Sequence, residues 1–191
     1  MDERKKEDLR TKKTKNAIRT VFRDMLSEMN YDEIKIKELT ERAEISRRTF
    51  YMHYSALDEL LNELIDEIAD NYTRKTNALH GHYELEEIVR SFLLYFAEQD
   101  ELHERIICNG NFDYISRRIN RKIASVNHEH ATHLGASNRY EKGLLIAYLN
   151  ESALGMYRRW VSDKKQLPLE DFVDFATRLI CHGAAGFREQ G

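Results

Sequence analysis

Proline occurs once in this chain of 191 residues, and glycine eight times. Sheet proteins with many turns carry more of both, so their scarcity favours long helices joined by short connections. The two cysteines, Cys108 and Cys181, have no paired or metal-ligand spacing, so free thiols are expected rather than a disulfide framework. Long apolar runs are also missing. Residues 92–97 and 144–149 form the longest, at six residues each, against the ~20 needed to span a bilayer. The first six residues lack the apolar stretch of a signal peptide. A soluble, cytoplasmic protein without a membrane partner is the expectation. Nor is there a Gly-rich phosphate loop, a Gly-x-Ser-x-Gly elbow or a His-Glu-x-x-His pair. Nothing orders a nucleophile, a base and an orienting group, so neither an enzyme nor a cofactor is expected.

The hydrophobic share, 41%, is that of a globular protein. Its charge is uneven: residues 1–55 hold 14 Lys/Arg against 11 Asp/Glu, and the other 136 residues hold 16 against 22. A basic end on an acidic body is the asymmetry of a protein whose one end meets a polyanion.

The pattern along the chain is helical throughout. The first nine residues are charged and read as a mobile arm. Ala17, Ile18, Val21, Phe22, Met25, Leu26 and Met29 then recur at helical spacing, with Thr11 or Thr14 as a cap and Asn30 as a left-handed stop. A short helix is expected over 36–43, a break at Glu44-Ile45, and a third helix over 47–53 with Ser46 as its N-cap. Ser55 to Asp58 reads as a capping box opening a fourth helix that runs to about Ala78. After a boundary at His80-Gly81-His82, helices are expected near 84–98, 101–108, 112–126, 138–163 and 169–186. Residues 127–137 read as a loop, and Pro168 opens the last helix. The fold class is all-α, with an N-terminal domain over 1–54 and a C-terminal helical domain over 55–191.

Two short helices joined by a tight turn and supported by a longer one make a helix-turn-helix. The second helix of such a unit enters the major groove with its N-terminal residues on base edges. Here those residues are Ser46, Arg47, Arg48 and Thr49. Arginine can donate two parallel hydrogen bonds to guanine, worth ~1–3 kcal/mol of discrimination. Tyr51 and His53 follow on the same helix with polar tips suited to phosphates. Lys12, Lys13, Lys15 and Lys35 or Lys37 would add sequence-independent attraction. The same spacing also arises in helical bundles that bind nothing.

Residues 36–54, IKELTERAEISRRTFYMHY, resemble the recognition motif of the tetracycline-repressor (TetR) family. In that family a short helix ends in alanine, a turn leads to serine, and Thr-aromatic-Tyr-x-His-aromatic follows. Residues 14–31 resemble its first helix, and Leu60-Leu61 match the apolar start of its fourth. The resemblance covers about residues 11–65. It departs at Glu44, where the family usually has glycine, at Lys35, often a threonine cap, and at Leu57, often a phosphate-contacting lysine. It implies DNA contact by Lys12, Lys13, Lys37, Ser46, Arg47, Arg48, Thr49, Tyr51 and His53, with both arginines reading bases. A homodimer on a palindromic operator, acting as a repressor, is the function implied.

The family's last two helices usually dimerise. The matching stripe here includes Leu144, Leu145, Tyr148, Leu149, Ser152, Gly155 and Met156 on one helix. On the other lie Phe172, Phe175, Ala176, Leu179, Ile180 and Gly183. The interface is expected at Tyr148, Ser152, Gly155, Phe172, Phe175, Ala176, Leu179 and Gly183, with small residues through Gly186 allowing close approach. Residues 148–160 resemble the dimer helix of one branch of the family. Phe92, Phe96, Ile107, Tyr114, Asn150 and Met156 are candidates for an effector pocket, though aromatics at this spacing also build plain cores. A small molecule or a protein could be the effector. A regulator without a ligand, an interaction module, or a helical enzyme acting in a C-terminal cavity are the other readings. His128-Glu129-His130 and His133 are read as a solvated cluster, with no metal site.

Overall fold

A computed structural model describes residues 2–77, 84–130 and 138–183. Among the described residues there are nine α-helices and no strand. The chain divides into two compact units, 1–64 and 65–191, with the division inside the fourth helix.

In the first unit, α1 (Asp2–Glu28) buries Ile18, Phe22, Met25 and Leu26, each at most 1% exposed. This is the stripe legible in the sequence. Its start is not, because the helix includes residues read as a mobile arm. Glu, Lys and Arg, which make up most of residues 3–10, are good helix formers. Asn30 is extended (φ −78°, ψ 154°) rather than left-handed, and it opens a 3-10 turn, Tyr31–Glu33. Its N–H donates to Glu33 Oε2 at 2.8 Å. That local bond gives asparagine a partner without a left-handed turn.

Helix α2 (Ile36–Arg42) and α3 (Arg47–Tyr51) meet at a corner closed by two backbone bonds. Glu44 N–H donates to Glu41 O (3.2 Å) and Ile45 N–H to Thr40 O (3.0 Å). This is the paired closure of a Schellman motif, which puts its next-to-last residue in the left-handed region. That residue is Glu44, at φ 52°. Helix α3 ends at Tyr51, two residues short of the expected His53, with Met52 as its C-cap. Leu39 and Phe50, one from each helix, are fully buried.

Helix α4 (Leu57–Asn77) begins one residue out of the expected register. Glu59, not Asp58, reaches back to Ser55, accepting from its N–H (2.7 Å) and its hydroxyl (2.9 Å). Asp58 instead accepts from the Tyr31 hydroxyl at 2.9 Å, a contact no local pattern announces.

The second unit takes the rest of α4 with α5 (Leu85–Ala97), α6 (Glu101–Cys108), α7 (Asp113–His130), α8 (Arg139–Ser162) and α9 (Leu169–His182). A run of aromatic contacts crosses it. Tyr72 lies 5.3 Å from Tyr95 and Phe96 4.8 Å from Phe92, while Trp160 stacks on Phe172 at 4.6 Å. The polar tips are satisfied: Tyr95 donates to Ile68 O (2.7 Å), Tyr157 to Phe96 O (3.1 Å) and Trp160 to Leu167 O (2.9 Å). Arg158 bonds Ile107 O (2.7 Å) and Ser116 Oγ (3.0 Å), tying α8 to α6 and α7. Helix α7 continues through residues 127–130, which had read as loop. The last helix stops at His182 because Gly183 turns left-handed, at φ 68°. The boundary at residues 80–82, His133 and residues 184–186 lie outside the described residues. Cys108 and Cys181 are half-buried free thiols, and burial pushes each up to about 11. Among the described residues no helix is long and apolar enough to cross a membrane.

A left-handed glutamate is strained by about 1 kcal/mol relative to glycine, partly offset by the greater freedom glycine has when unfolded. Glu44→Gly should therefore raise the melting midpoint of the N-terminal unit by a few degrees. A lower midpoint by circular dichroism would show that the corner is not strained.

Candidate nucleic-acid interface

Ser46 caps α3 as its position suggested: extended at φ −76° and ψ 152°, its hydroxyl accepts from Thr49 N–H at 3.0 Å. The Ser46 and Thr49 hydroxyls also lie 2.8 Å apart. The two side chains thus order each other at the helix start. Arg47 and Arg48 follow, both exposed, and among the described residues no carboxylate pairs with either. Arg42, on the preceding helix, is held by Glu28 (2.6 Å) and Glu38 (2.8 Å). The corner therefore separates a neutralised arginine from two exposed ones.

Tyr51 sets its ring edge-on to Phe50 at 5.5 Å and remains 55% exposed, while His53 is half-buried. Met52 is 73% exposed beside them, an apolar side chain that the polar pattern of this segment had not singled out. Lys12 and Lys13 are exposed on α1. Lys37 is exposed too, and its 4.0 Å pair with Glu41 is loose enough to contribute little. Lys15, counted with them from sequence, goes elsewhere. Its ammonium lies 3.5 Å from Glu63 and over the Tyr54 ring, 5.1 Å from the centroid.

Glu63 is the hub that sequence reading missed, because its partners are distant in the chain. Besides Lys15, it accepts from Arg19 (2.8 Å) and from the Tyr54 hydroxyl (2.8 Å). Burial opposes ionisation of Glu63, but the Tyr54 and Arg19 hydrogen bonds and both cations outweigh it and hold the carboxyl below the ordinary range. Burial, then the same carboxylate, pushes Tyr54 up to about 12.

The other predicted residues scatter. Phe92, Phe96 and Ile107 are at most 2% exposed in the core, and Asn150 is buried on α8. Tyr114 is 56% exposed, its ring against the Arg118 guanidinium. Of the pocket candidates, Met156 lines a cavity of about 310 Å³ with Gly155, Trp160, Phe172 and Phe175. On the expected dimer face, Phe172 and Ala176 are turned into the core, because Phe172 stacks on Trp160 and Ala176 is fully buried. Tyr148 (49%) and Phe175 (42%) are exposed, Gly155 is exposed, and Ser152, Leu179 and Gly183 are half-exposed. Two residues are more exposed still: Leu144 at 72%, which lies on the same stripe, and Tyr140 at 85%, which the stripe does not include. Among the described residues no three His, Cys, Asp or Glu cluster as metal ligands. The side chains of His128 and His130 are outside the described set.

Folding depresses the Glu63 pKa, so its stabilisation is full above the ordinary carboxyl value of 4.5 and is lost as pH falls through the lower folded one. Glu63→Gln should make unfolding of the N-terminal unit less acid-sensitive below about pH 4.5. An acid transition identical to the parent's would mean the carboxylate is not held as described.

No family model matches the chain. In sequence it is 39% identical over 79 residues to the uncharacterized HTH-type transcriptional regulator YxbF of Bacillus subtilis, covering 37% of this chain and 21% of YxbF. It is 22% identical over 102 residues to the HTH-type dhaKLM operon transcriptional activator DhaS of Lactococcus lactis, covering 53% of each. The matches thus span about a fifth and about half of these relatives' lengths. In structure, the chain superposes on a TetR transcriptional regulator from Streptococcus agalactiae with a TM-score of 0.68 at 20% identity, covering 91% of this chain and 97% of the other. With AibR, solved in complex with isovaleryl coenzyme A and operator DNA, the TM-score is 0.60 at 14% identity, covering 87% and 97%. This chain has the fold of the TetR-family transcriptional regulators.

Proposed function

We propose that this chain is a sequence-specific DNA-binding transcriptional regulator that binds a palindromic operator as a homodimer. The observation that carries the reading is the exposed Arg47-Arg48 pair, with which no carboxylate among the described residues pairs, at the start of a capped second helix. Arg42 and Arg19, by contrast, are paired with carboxylates, and a site that meets a polyanion keeps its own cations clear of such pairs. In the major groove each guanidinium can take both acceptors of a guanine. Tyr51, His53 and Thr49 then contact phosphates, and Lys12, Lys13 and Lys37 supply attraction blind to sequence. The HTH-type names of YxbF and DhaS and the operator complex of AibR support the same reading. Such a protein acts in the cytoplasm, where the operator is.

Two recognition helices must be spaced about one helical turn apart, ~34–36 Å, which calls for two subunits. The face that supports dimerisation is the exposed side of α8 and α9: Tyr140, Leu144, Tyr148, Gly155, Phe175 and Leu179. Monomers rarely leave large apolar side chains clustered in this way without a partner. A Cβ built on Gly155 meets nothing within 4 Å, so a facing helix can approach closely there.

Repression by occupying the operator is the simplest outcome, and an effector in the C-terminal unit would release it by favouring a DNA-incompetent state. AibR's isovaleryl coenzyme A supports a small-molecule effector, and the buried Asn120 Oδ1, without a partner among the described residues, is a polar group such a ligand could satisfy. Activation is the second reading, favoured by the name of DhaS.

Selection of duplexes from a random library, followed by sequencing, tests the proposal. A palindromic consensus with half-sites about a turn apart is the expected result, and no enrichment would overturn it. Arg47→Ala or Arg48→Ala should cost ~1–3 kcal/mol and relax preference at one base pair per half-site, whereas Lys12→Ala or Lys13→Ala should weaken all duplexes alike and flatten the salt dependence. Leu144→Glu should convert the dimer to monomer in sedimentation velocity. A variant that sediments as the parent does would move the interface off α8.

A further inference from the structure

On α4 the half-buried carboxylate of Glu63 gathers two cations and a phenol. We propose that Glu63 is a positioning and specificity-determining residue: it fixes the chain leaving the recognition helix to α1 and α4, and it withholds Lys15 and Arg19 from the DNA backbone. The inference rests on the DNA-binding reading above.

Three observations carry it. Tyr54 stands three residues beyond the end of α3 and is 1% exposed, and its hydroxyl donates to Glu63 Oε2 at 2.8 Å. The path from α3 to α4 is thereby pinned at one atom, and the direction in which Arg47 and Arg48 project depends on that pin. The same carboxylate takes Arg19 at 2.8 Å and Lys15 at 3.5 Å, so α1 is gathered to the same point. Finally, Lys12, Lys15 and Arg19 recur at three- and four-residue spacing along one face of α1. Glu63 pairs with the last two and leaves Lys12 exposed.

Charge decides what this arrangement does for recognition. Each cation that meets a phosphate strengthens binding by the release of about one counterion. Selectivity is the ratio of specific to unspecific binding: a cation that meets a phosphate in both complexes leaves it unchanged, and one that meets a phosphate only in unspecific complexes, where the register on the duplex is free, lowers it. The side chains of Lys15 and Arg19 are 33% and 43% exposed, open enough for a phosphate to take them once the carboxylate is neutral. Glu63 therefore raises selectivity in two ways, by orienting the base-reading arginines and by suppressing attraction that reads nothing.

The test compares full-length parent, Glu63→Gln and Tyr54→Phe on the selected operator and on a random-sequence duplex across a salt series. Glu63→Gln should lower the operator-to-random ratio about tenfold and steepen the salt dependence on random duplex by about one to two, one for each cation released. Tyr54→Phe should lower the ratio and leave the slope unchanged. Amide hydrogen exchange of the DNA-free protein supplies a second readout: residues 47–54 should exchange faster in both variants, with residues 18–26 of α1 unchanged. Parental ratio and slope in Glu63→Gln overturn the selectivity role, and parental exchange overturns the pin. Uniform loss on both duplexes with faster exchange throughout reduces Glu63 to a folding residue and overturns the proposal. A parent that enriches no sequence defeats the DNA-binding reading instead, while the exchange measurement still decides the pin.

Discussion

Everything the N-terminal unit presents to solvent depends on one corner. Between Arg42 and Arg47 the chain reverses in four residues, and two backbone bonds close the reversal only if Glu44 enters the left-handed region. The end of α2 is thereby satisfied without a capping side chain. The start of α3 is satisfied by Ser46, so two helices of seven and five residues, too short to persist alone, hold a fixed angle. Leu39 and Phe50 then go inward together. Arg47 and Arg48 are sent outward, beyond reach of the acids that hold Arg42. A residue with a side chain at Glu44 does this at some cost, which the backbone bonds and the core must outweigh.

Electrostatics finishes what the corner begins. Arg42 is compensated by Glu28 and Glu38, and Lys15 and Arg19 by Glu63, whereas Lys12, Lys13, Arg47 and Arg48 are exposed and no carboxylate among the described side chains pairs with them. A surface that sorts its cations in this way has a small excess of positive charge placed on particular side chains, not a diffuse basic coat. That fits a chain whose N-terminal excess is only modest. Affinity from few phosphate contacts leaves room for base readout to decide where the protein sits.

Local signals in the sequence carried much of this. The α1 stripe, the short α2, the Ser46 cap and the all-helical fold follow from periodicity and capping chemistry, which act within a few residues. What was not legible is nonlocal or a matter of competition. Asp58 had the spacing of a capping-box acid, but Tyr31 claims it and Glu59 caps instead. Phe172 and Phe175 both sat on one apolar stripe of α9, yet Trp160 draws the first inward and leaves the second exposed. Tyr140 and Leu144, at the start of α8, are more exposed than the interface residues expected, although Leu144 stands on the apolar stripe, because periodicity alone does not report how far a residue is covered. Glu63 could have been suspected only by asking which acid might answer Lys15 and Arg19 from 44 or more residues away. The effector candidates illustrate the same limit, since aromatic spacing describes a core and a pocket equally well.

The central claim is that two side chains, Arg47 and Arg48, read guanine edges while the rest of the unit holds them in place. It is tested most directly by replacing each guanine of the selected half-site with 7-deazaguanine, which lacks the N7 acceptor, and measuring affinity with parent, Arg47→Ala and Arg48→Ala. The account predicts a loss of about tenfold with the parent at one or two positions, and no further loss at each position for the variant that lacks its reader. Equal losses in the parent and both variants would contradict it and assign base reading to other residues.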